Sequence, residues 1–461
     1  MRRTRLAIGL VTSLVAGITA IGVGGPTEAA AAPVAAPRVD FNGDGYGDMV
    51  VTGGGAASVL YGGPGGLSTA RKVRITKDFP GLPASVATAP GFAGNVTPGD
   101  LDGDGYDDLV ITVSYRAPVV VWGGPRGLSG GTLLADGSAD DVMVSGDFDG
   151  DGHEDLAVHD NYAGFHIARG PYSRAGEPAA VDSYTYQDID ADFGGQNLVA
   201  GEVNGDGATD LILLGSIHRT PPKEGYYVGA VLLLGSPGGL HSPRRVSGLG
   251  GSATIGDVDG DGFGDVILGA FLEGYNPAGV VGGSIVVNYG SATGLSTTRP
   301  AVRISQDTQG VPGTGEEYDR FGFALATGDI DHDGYADVAV SSQQESISGV
   351  STTGGVTVLR GSAKGLTATG AVAYNQNSPG VPGANEPYDR WGSNLLLTDM
   401  NRDGRSELVV GTEFENQDVG NVWYFPSNGS APTAKGLVSF SYRTLGGTDK
   451  RSTYFSRDMA S

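Results

Sequence analysis

The nonapeptide Asp257-Val-Asp-Gly-Asp-Gly-Phe-Gly-Asp265 returns six more times with variations: DFNGDGYGD from Asp40, DLDGDGYDD from Asp100, DFDGDGHED from Asp147, EVNGDGATD from Glu202, DIDHDGYAD from Asp329 and DMNRDGRSE from Asp399. Positions 1, 3, 5 and 9 always carry a side-chain oxygen, and position 6 is always glycine. Successive starts are separated by 60, 47, 55, 55, 72 and 70 residues, with a mean of about 60. A period of this length marks a repeat architecture in which each unit is one supersecondary element.

Oxygens at alternate positions with a glycine at the sharpest point suit a hard cation. Ca²⁺ takes six to eight oxygens, and a tight loop delivers carboxylates from alternate positions plus one backbone carbonyl. In the order of positions 1, 3, 5, 7 (carbonyl) and 9, the first two ligand sets are Asp40, Asn42, Asp44, Tyr46, Asp48 and Asp100, Asp102, Asp104, Tyr106, Asp108. The next two are Asp147, Asp149, Asp151, His153, Asp155 and Glu202, Asn204, Asp206, Ala208, Asp210. The last three are Asp257, Asp259, Asp261, Phe263, Asp265; Asp329, Asp331, Asp333, Tyr335, Asp337; and Asp399, Asn401, Asp403, Arg405, Glu407. Up to seven calcium ions are expected. An isolated D-G or N-G pair reads equally well as a hairpin turn, but seven copies of one ligand pattern do not. An EF-hand needs a bidentate Glu at position 12, where these loops carry Val51, Ile111, Val158, Leu213, Leu268, Val340 and Val410.

Those apolar residues belong to short β-branched runs, such as Asp265-Val-Ile-Leu268, that read as strands. A second marker recurs in phase downstream: YGGPGGL from Tyr61, WGGPRGL from Trp122, LGSPGGL from Leu234, YGSATGL from Tyr289 and RGSAKGL from Arg360. Each follows an apolar run and reads as a strand ending in a Gly/Pro turn. A further strand precedes most loops, clearest in Arg320–Gly328 and Arg390–Thr398. The unit is therefore strand A, cation loop, strand B, connection, strand C, glycine turn, strand D. Four strands in about 60 residues make a propeller blade.

Phe321-Gly322 opening a strand, the Gly-Asp-x-Asp loops and the Gly-Gly/Ser-Pro-x-Gly-Leu turn resemble the FG-GAP (VCBS) repeats of integrin α-chain N-terminal propellers and of secreted bacterial propeller proteins. The resemblance covers nearly all of residues 38–461. It implies an all-β, seven-bladed β-propeller with four-stranded blades and calcium in the A–B hairpins, and it extends to the propeller part of glycosylphosphatidylinositol phospholipase D. Departures are Glu202 in place of the first Asp of loop 4, and Arg402, Arg405 and Glu407 in loop 7. No Arg-Gly-Asp tripeptide occurs.

Composition agrees with this reading. Glycine accounts for 80 of 461 residues, which disfavours helical bundles because it costs a helix about 1 kcal/mol per position. No cysteine is present, so thiolate sites and disulfides are excluded. A net charge of −23 disfavours nucleic acid and anionic membrane as partners. Arg2, Arg3 and Arg5 ahead of the apolar stretch Leu6–Val23 and an alanine-rich tract read as a secretory signal peptide, residues 1–32, cleaved near Ala32 or Ala36. An uncleaved anchor is the alternative. Cleavage leaves one secreted propeller domain, 38–461, with no membrane span and acting as a monomer.

Loop 1 starts so close to that cleavage point that blade 1 lacks an upstream strand A. Tyr454–Ser461 matches the phase of Arg320–Thr327, so the C-terminal strand is expected to pair with the N-terminal blade and close the ring, removing exposed sheet edges.

Function must sit on loops. From loop start to glycine turn, blades 1–3 take 21 or 22 residues and blades 4–6 take 31 or 32. The surplus, near 217–228, 271–281 and 343–353, builds one side of the face opposite the hairpins. The connections entering blades 6 and 7, QDTQGVPGTGEEYDRFG from Gln306 and QNSPGVPGANEPYDRWG from Gln376, add Glu316, Tyr318, Asp319, Arg320 and Glu386, Tyr388, Asp389, Arg390. These read either as a polar, aromatic rim for a ligand or as braces between blades. The six histidines form no H-E-x-x-H pattern and no G-x-S-x-G elbow occurs, so enzyme signals are weak. The expectation is an adhesion or recognition module for extracellular protein or carbohydrate. The alternative is a secreted hydrolase or lyase of polysaccharide or phospholipid.

Overall fold

A strand starts at, or one residue after, the ninth residue of every nonapeptide: Met49–Gly53, Asp108–Val113, Asp155–Asp160, Asp210–Arg219, Asp265–Ala270, Asp337–Ser342 and Glu407–Thr412. The computed structural model from which this follows describes residues 38–461 apart from 136–141, 161–163, 191–192, 220–224, 273–279 and 449. The signal-peptide reading therefore falls outside the described residues. These B strands are buried on both faces, which is why they read as continuous apolar runs rather than alternating ones.

Seven four-stranded antiparallel sheets result, each in the spatial order A–B–C–D. Blade 6 is representative, with Phe321–Gly328, Asp337–Ser342, Gly355–Arg360 and Thr367–Tyr374 side by side. The A strands touch one another in chain order around a central axis, and outer D strands such as His241–Arg245 are exposed. Seven apolar clusters fill the seams between neighbouring blades. One joins Val50, Val59 and Ile75 of blade 1 to Val96, Ile111 and Val121 of blade 2, and another joins Met49 and Leu60 to Val409 and Tyr424 of blade 7. Buried apolar B-strand side chains therefore pack against one neighbour blade or the other.

Closure takes the expected form. Met459–Ala460 pairs with strand B of blade 1 through Val51↔Met459 and Val50↔Ala460, and it touches the A strands of blades 7 and 2. The regular pairing is only two residues long, shorter than the run read from sequence. Much of the attachment lies upstream. Phe455 is fully buried beside Phe440 and Tyr442, with ring centroids 6.1 and 6.0 Å away. Its N–H donates to Val419 O at 3.0 Å, as Phe321 N–H does to Gly282 O and Trp391 N–H to Thr353 O. The three aromatics occupy one structural position. Each lies against a left-handed glycine of the preceding blade, Gly283, Gly354 or Gly420, where a Cβ would come within 2.6 Å of the aromatic residue's backbone. Close approach is what demands glycine there.

The extra length of blade 4 is strand rather than loop. Its B and C strands, Asp210–Arg219 and Gly225–Leu234, are ten residues each and pair from Leu211↔Leu233 to Arg219↔Gly225. The surplus near 271–281 falls mostly on residues outside those described, whereas Gln343–Thr353 forms turns with one isolated bridge, Ile347↔Val350.

Candidate metal hairpins and the opposite face

All seven A–B loops share one backbone. The position-6 glycines, from Gly45 to Gly404, have φ between +83 and +90°. In loop 1 the Asp40 carboxylate accepts the N–H groups of Asp44 at 3.2 Å and Gly45 at 2.7 Å. Asp100, Asp147, Asp257, Asp329 and Asp399 accept the corresponding pair. Glu202 uses its longer reach to accept from Asn204, Gly205 and Gly207. Each position-5 carboxylate accepts the N–H of position 7 at 2.9–3.1 Å, in Asp44, Asp104, Asp151, Asp206, Asp261, Asp333 and Asp403. The side chain at position 7 packs on position 4 of the preceding loop: Tyr106 on Gly43, His153 on Gly103, Phe263 on Gly205 and Tyr335 on Gly260. The seven loops thus form one braced belt on a single face.

Position 9 has a second task that the motif alone did not reveal. Asp48 accepts Phe41 N–H at 3.0 Å and Gly62 N–H at 2.9 Å, tying the cation loop to the C–D glycine turn. Asp108, Asp155, Asp210, Asp265 and Asp337 make the equivalent pair with Gly123, Gly170, Gly235, Gly290 and Gly361 on the turn side. In blade 7 the turn residue is Pro426, which has no N–H to give. Glu407 replaces aspartate there and reaches Asn401 Nδ2 at 2.7 Å as well as Met400 N–H. Burial pushes all seven acids up, against these hydrogen bonds: Asp48, Asp155, Asp210 and Asp265 to about 7, Asp108 and Glu407 to about 8, and Asp337 to about 6.

The donor set fits a hard divalent cation. One oxygen from each of Asp100, Asp102 and Asp108 lies within 4.8 Å of the others; so do those of Asp147, Asp149 and Asp155, of Asp257, Asp259 and Asp265, and of Asp329, Asp331 and Asp333. Oxygens about 2.3–2.6 Å from one ion lie at most about 5.2 Å apart, so this spacing is compatible with a shared ion. In loops 2, 5 and 6 the Oδ1 atoms of Asp102, Asp259 and Asp331 are buried without a hydrogen-bond partner, a costly state that a cation would relieve. Loops with asparagine at position 3 satisfy themselves: Asn42 accepts Asp44 N–H, Asn204 donates to Asp206, and Asn401 accepts Asp403 N–H.

Arginines also enter the loops, which the motif does not foretell. Arg71 pairs with Asp44, Arg174 with Asp102 and Asp104, Arg169 with Asp149, Arg299 with Asp259, and Arg360 with Asp331 and Asp337. Each is a monovalent neutraliser beside carboxylates whose charge exceeds it. No arginine reaches loop 4 among the described contacts.

On the other face, the rim residues divide by role. Tyr318 and Tyr388 are 68% and 64% exposed, and Glu316 and Glu386 are exposed beside them. Asp319 and Asp389 are buried braces that accept the N–H of Glu316 at 2.6 Å and Glu386 at 2.8 Å. Arg390 lies over the Phe414 ring at 4.5 Å, and Arg320 is partly buried. Tyr318, Arg320, Tyr388 and Arg390 all hold left-handed φ of 75, 62, 71 and 52°. Non-glycine residues pay roughly 1–2 kcal/mol each for this. The aspartates are braces between segments, whereas tyrosine and glutamate face solvent.

Fold, repeat and loops define a seven-bladed β-propeller whose blades each carry an acidic A–B hairpin. Comparison with known proteins places it more closely: FG-GAP repeat matches residues 321–359 and 391–425, and FG-GAP-like repeat matches 40–111 and 100–158. The chain is 36% identical to integrin alpha-PS2 of Drosophila melanogaster over 168 residues, 32% of this chain and 11% of that protein. Against phosphatidylinositol-glycan-specific phospholipase D of Mus musculus identity is 32% over 168 residues, 36% and 18% of the two chains. Integrin alpha-IIb of Mus musculus is 28% identical over 224 residues, 48% and 20%. The matched region spans a fifth or less of each of these relatives. The chain carries FG-GAP repeats in a seven-bladed propeller and is in this respect similar to integrin α chains. No helix among the described residues is long and apolar enough to cross a membrane.

Proposed function

We propose that the protein is a secreted, calcium-bound propeller that recognises an extracellular protein or carbohydrate with the face opposite its hairpins. The observation that carries the reading is the division of labour between faces. One face repeats a single oxygen-rich loop seven times with buried carboxylates, while the other varies in length and exposes Tyr318 and Tyr388 on strained backbone, with Glu316 and Glu386 exposed beside them. Strain of this kind persists where surrounding structure holds it and clusters at binding sites. Calcium would be held by the position 1, 3, 5, 7 and 9 oxygens of each hairpin. When bound it supplies charge neutralisation and a rigid link from strand A to the C–D turn. Loops 2, 5 and 6, with their unpartnered position-3 oxygens, fill first.

The test is a glycan and extracellular-protein array probed with the purified protein in calcium and in EDTA, beside a hydrolysis screen that includes phosphatidylinositol-glycan, since a relative is named for that substrate. Calcium-dependent binding without turnover supports recognition. Turnover of any arrayed substrate overturns it in favour of a hydrolase or lyase.

A further inference from the structure

A second set of clustered carboxylates lies on the opposite face, outside every nonapeptide. One oxygen from each of Glu316, Asp319 and Glu345 falls within 4.8 Å of the others. Glu316 and Asp319 come from the connection entering blade 6, and Glu345 from the B–C connection of that blade. An acidic cluster alone is no site, but this one includes a buried amide with an unanswered acceptor. Gln306 is 5% exposed, its Nε2 donates to Glu345 Oε2 at 2.5 Å, and its Oε1 has no hydrogen-bond partner.

The arrangement recurs one blade on, 70 residues later. Gln376 is 1% exposed, its Nε2 donates to Glu415 Oε2 at 2.7 Å, and its Oε1 is again without a partner. Asp389 and Glu386 stand where Asp319 and Glu316 do, and Asn416 also donates to Glu415. Two unrelated accidents would not place a buried glutamine with an orphaned carbonyl against the same three acids twice.

We propose that each cluster binds a hard divalent cation of the calcium type, through Glu316, Asp319, Glu345 and Gln306 in blade 6 and through Glu386, Asp389, Glu415 and Gln376 in blade 7. Three carboxylates and an amide carbonyl are an oxygen-only donor set, which selects this class of ion over softer metals. A half-turn of the glutamine amide exchanges its nitrogen and oxygen without changing its shape. The carbonyl then faces the ion beside the glutamate, and the amide nitrogen takes the buried position that the oxygen held. The charges acting on Glu345 are the carboxylates of Asp319 and Glu316, and burial with these neighbours pushes it up to about 7. The exposed Glu316 and Glu386 leave the solvent side of each ion open to water or to a ligand oxygen. These two ions would sit beside Tyr318 and Tyr388.

The inference rests on the fold and not on occupancy of the hairpins, because the experiment reads a difference. Calcium bound per full-length chain is counted by native mass spectrometry for wild type, Glu345→Gln, Glu415→Gln and the double variant. Each single change should remove one ion and the double two; an unchanged count overturns the proposal. Melting separates a ligand from a structural brace. In EDTA, Glu345→Gln should melt at or above wild type, since it removes a buried like charge and keeps an acceptor for Gln306. In calcium it should gain less than wild type does. Equal losses in both conditions would mean a brace and overturn the proposal. The exposed Glu316→Gln covers failure of the buried variants to fold. Titration with Tb³⁺ should show one site weakened at least tenfold, and an unaltered titration counts against the site.

Discussion

Chelating calcium should destabilise the protein strongly at pH 8 and hardly at all at pH 5. The position-9 acids set this behaviour: Asp48, for example, is raised by burial from 3.8 to about 7 in the folded, ion-free protein. Without calcium the fold prefers such an acid protonated. The resulting stability is complete below about pH 4 and is lost as pH rises through about 7. A calcium ion reverses the preference, because it needs the carboxylate. At pH 8, free calcium at a hundred times Kd contributes about 2.7 kcal/mol per site. An unfolding entropy of about 2.1 cal/mol/K per residue converts this, for roughly 420 folded residues, to about 3 °C per site and on the order of 20 °C for seven. At pH 5, two units below the acid's titration, displacing its proton costs about 2.7 kcal/mol and weakens binding roughly a hundredfold. The same calcium then contributes about 0.4 kcal/mol per site, so the total effect shrinks to about 3 °C. Differential scanning calorimetry with and without EDTA at both pH values measures this. An EDTA effect equal at pH 5 and pH 8, or absent at pH 8, would refute the coupling of buried acids to calcium.

Deleting residues 453–461 should abolish cooperative melting, and Phe455→Ala alone should cost about 3–5 kcal/mol by emptying the seam beside Phe440 and Tyr442; calorimetry reads both. Gly354→Ala places a Cβ 2.3 Å from Trp391 O on a backbone with φ of +82°, so a loss of more than 2 kcal/mol in chemical denaturation is expected. Tyr318→Ala with Tyr388→Ala should leave stability within about 0.5 kcal/mol of wild type while lowering binding to any ligand found on the array. Unaltered binding would return these tyrosines to surface decoration. Asp102→Asn should raise stability in EDTA, where its buried Oδ1 lacks a partner, and remove one calcium from the count.

The blade count was legible because the oxygen-bearing residues of the hairpins, which bond the loop backbone, recur at fixed spacing, and because position 6 holds a backbone with φ near +85° that suits glycine. Closure was legible for a related reason: Phe455 repeats the docking of Phe321 and Trp391, so its phase survives where the strand itself shrinks to Met459–Ala460. What stayed hidden depends on partners far along the chain. Asp48 bonds Gly62 and Asp265 bonds Gly290, 14 and 25 residues on, and no local pattern announces that tie. A signal existed in blade 7, where loss of the turn N–H at Pro426 accompanies the change to Glu407. The loop arginines were missed because each reaches its carboxylate from far along the chain, Arg71, Arg169, Arg299 and Arg360 from later in the same blade and Arg174 from the next one. The blade 4 surplus was read as loop because Pro221, Pro222 and Gly225 signal a turn, although Ile217 on one side and Tyr226, Tyr227 and Val228 on the other favour continued strand. The opposite face was only half read, since burial of Asp319 and exposure of Tyr318 are set by packing between blades rather than by the order of residues.

The most direct measurement is an anomalous-scattering map from crystals grown in calcium. The account predicts peaks inside the A–B hairpins, each 2.3–2.6 Å from the oxygens of positions 1, 3, 5, 7 and 9, strongest in loops 2, 5 and 6. A folded propeller whose hairpins hold no anomalous peak at millimolar calcium, with the arginines still seated on position 3, would contradict it.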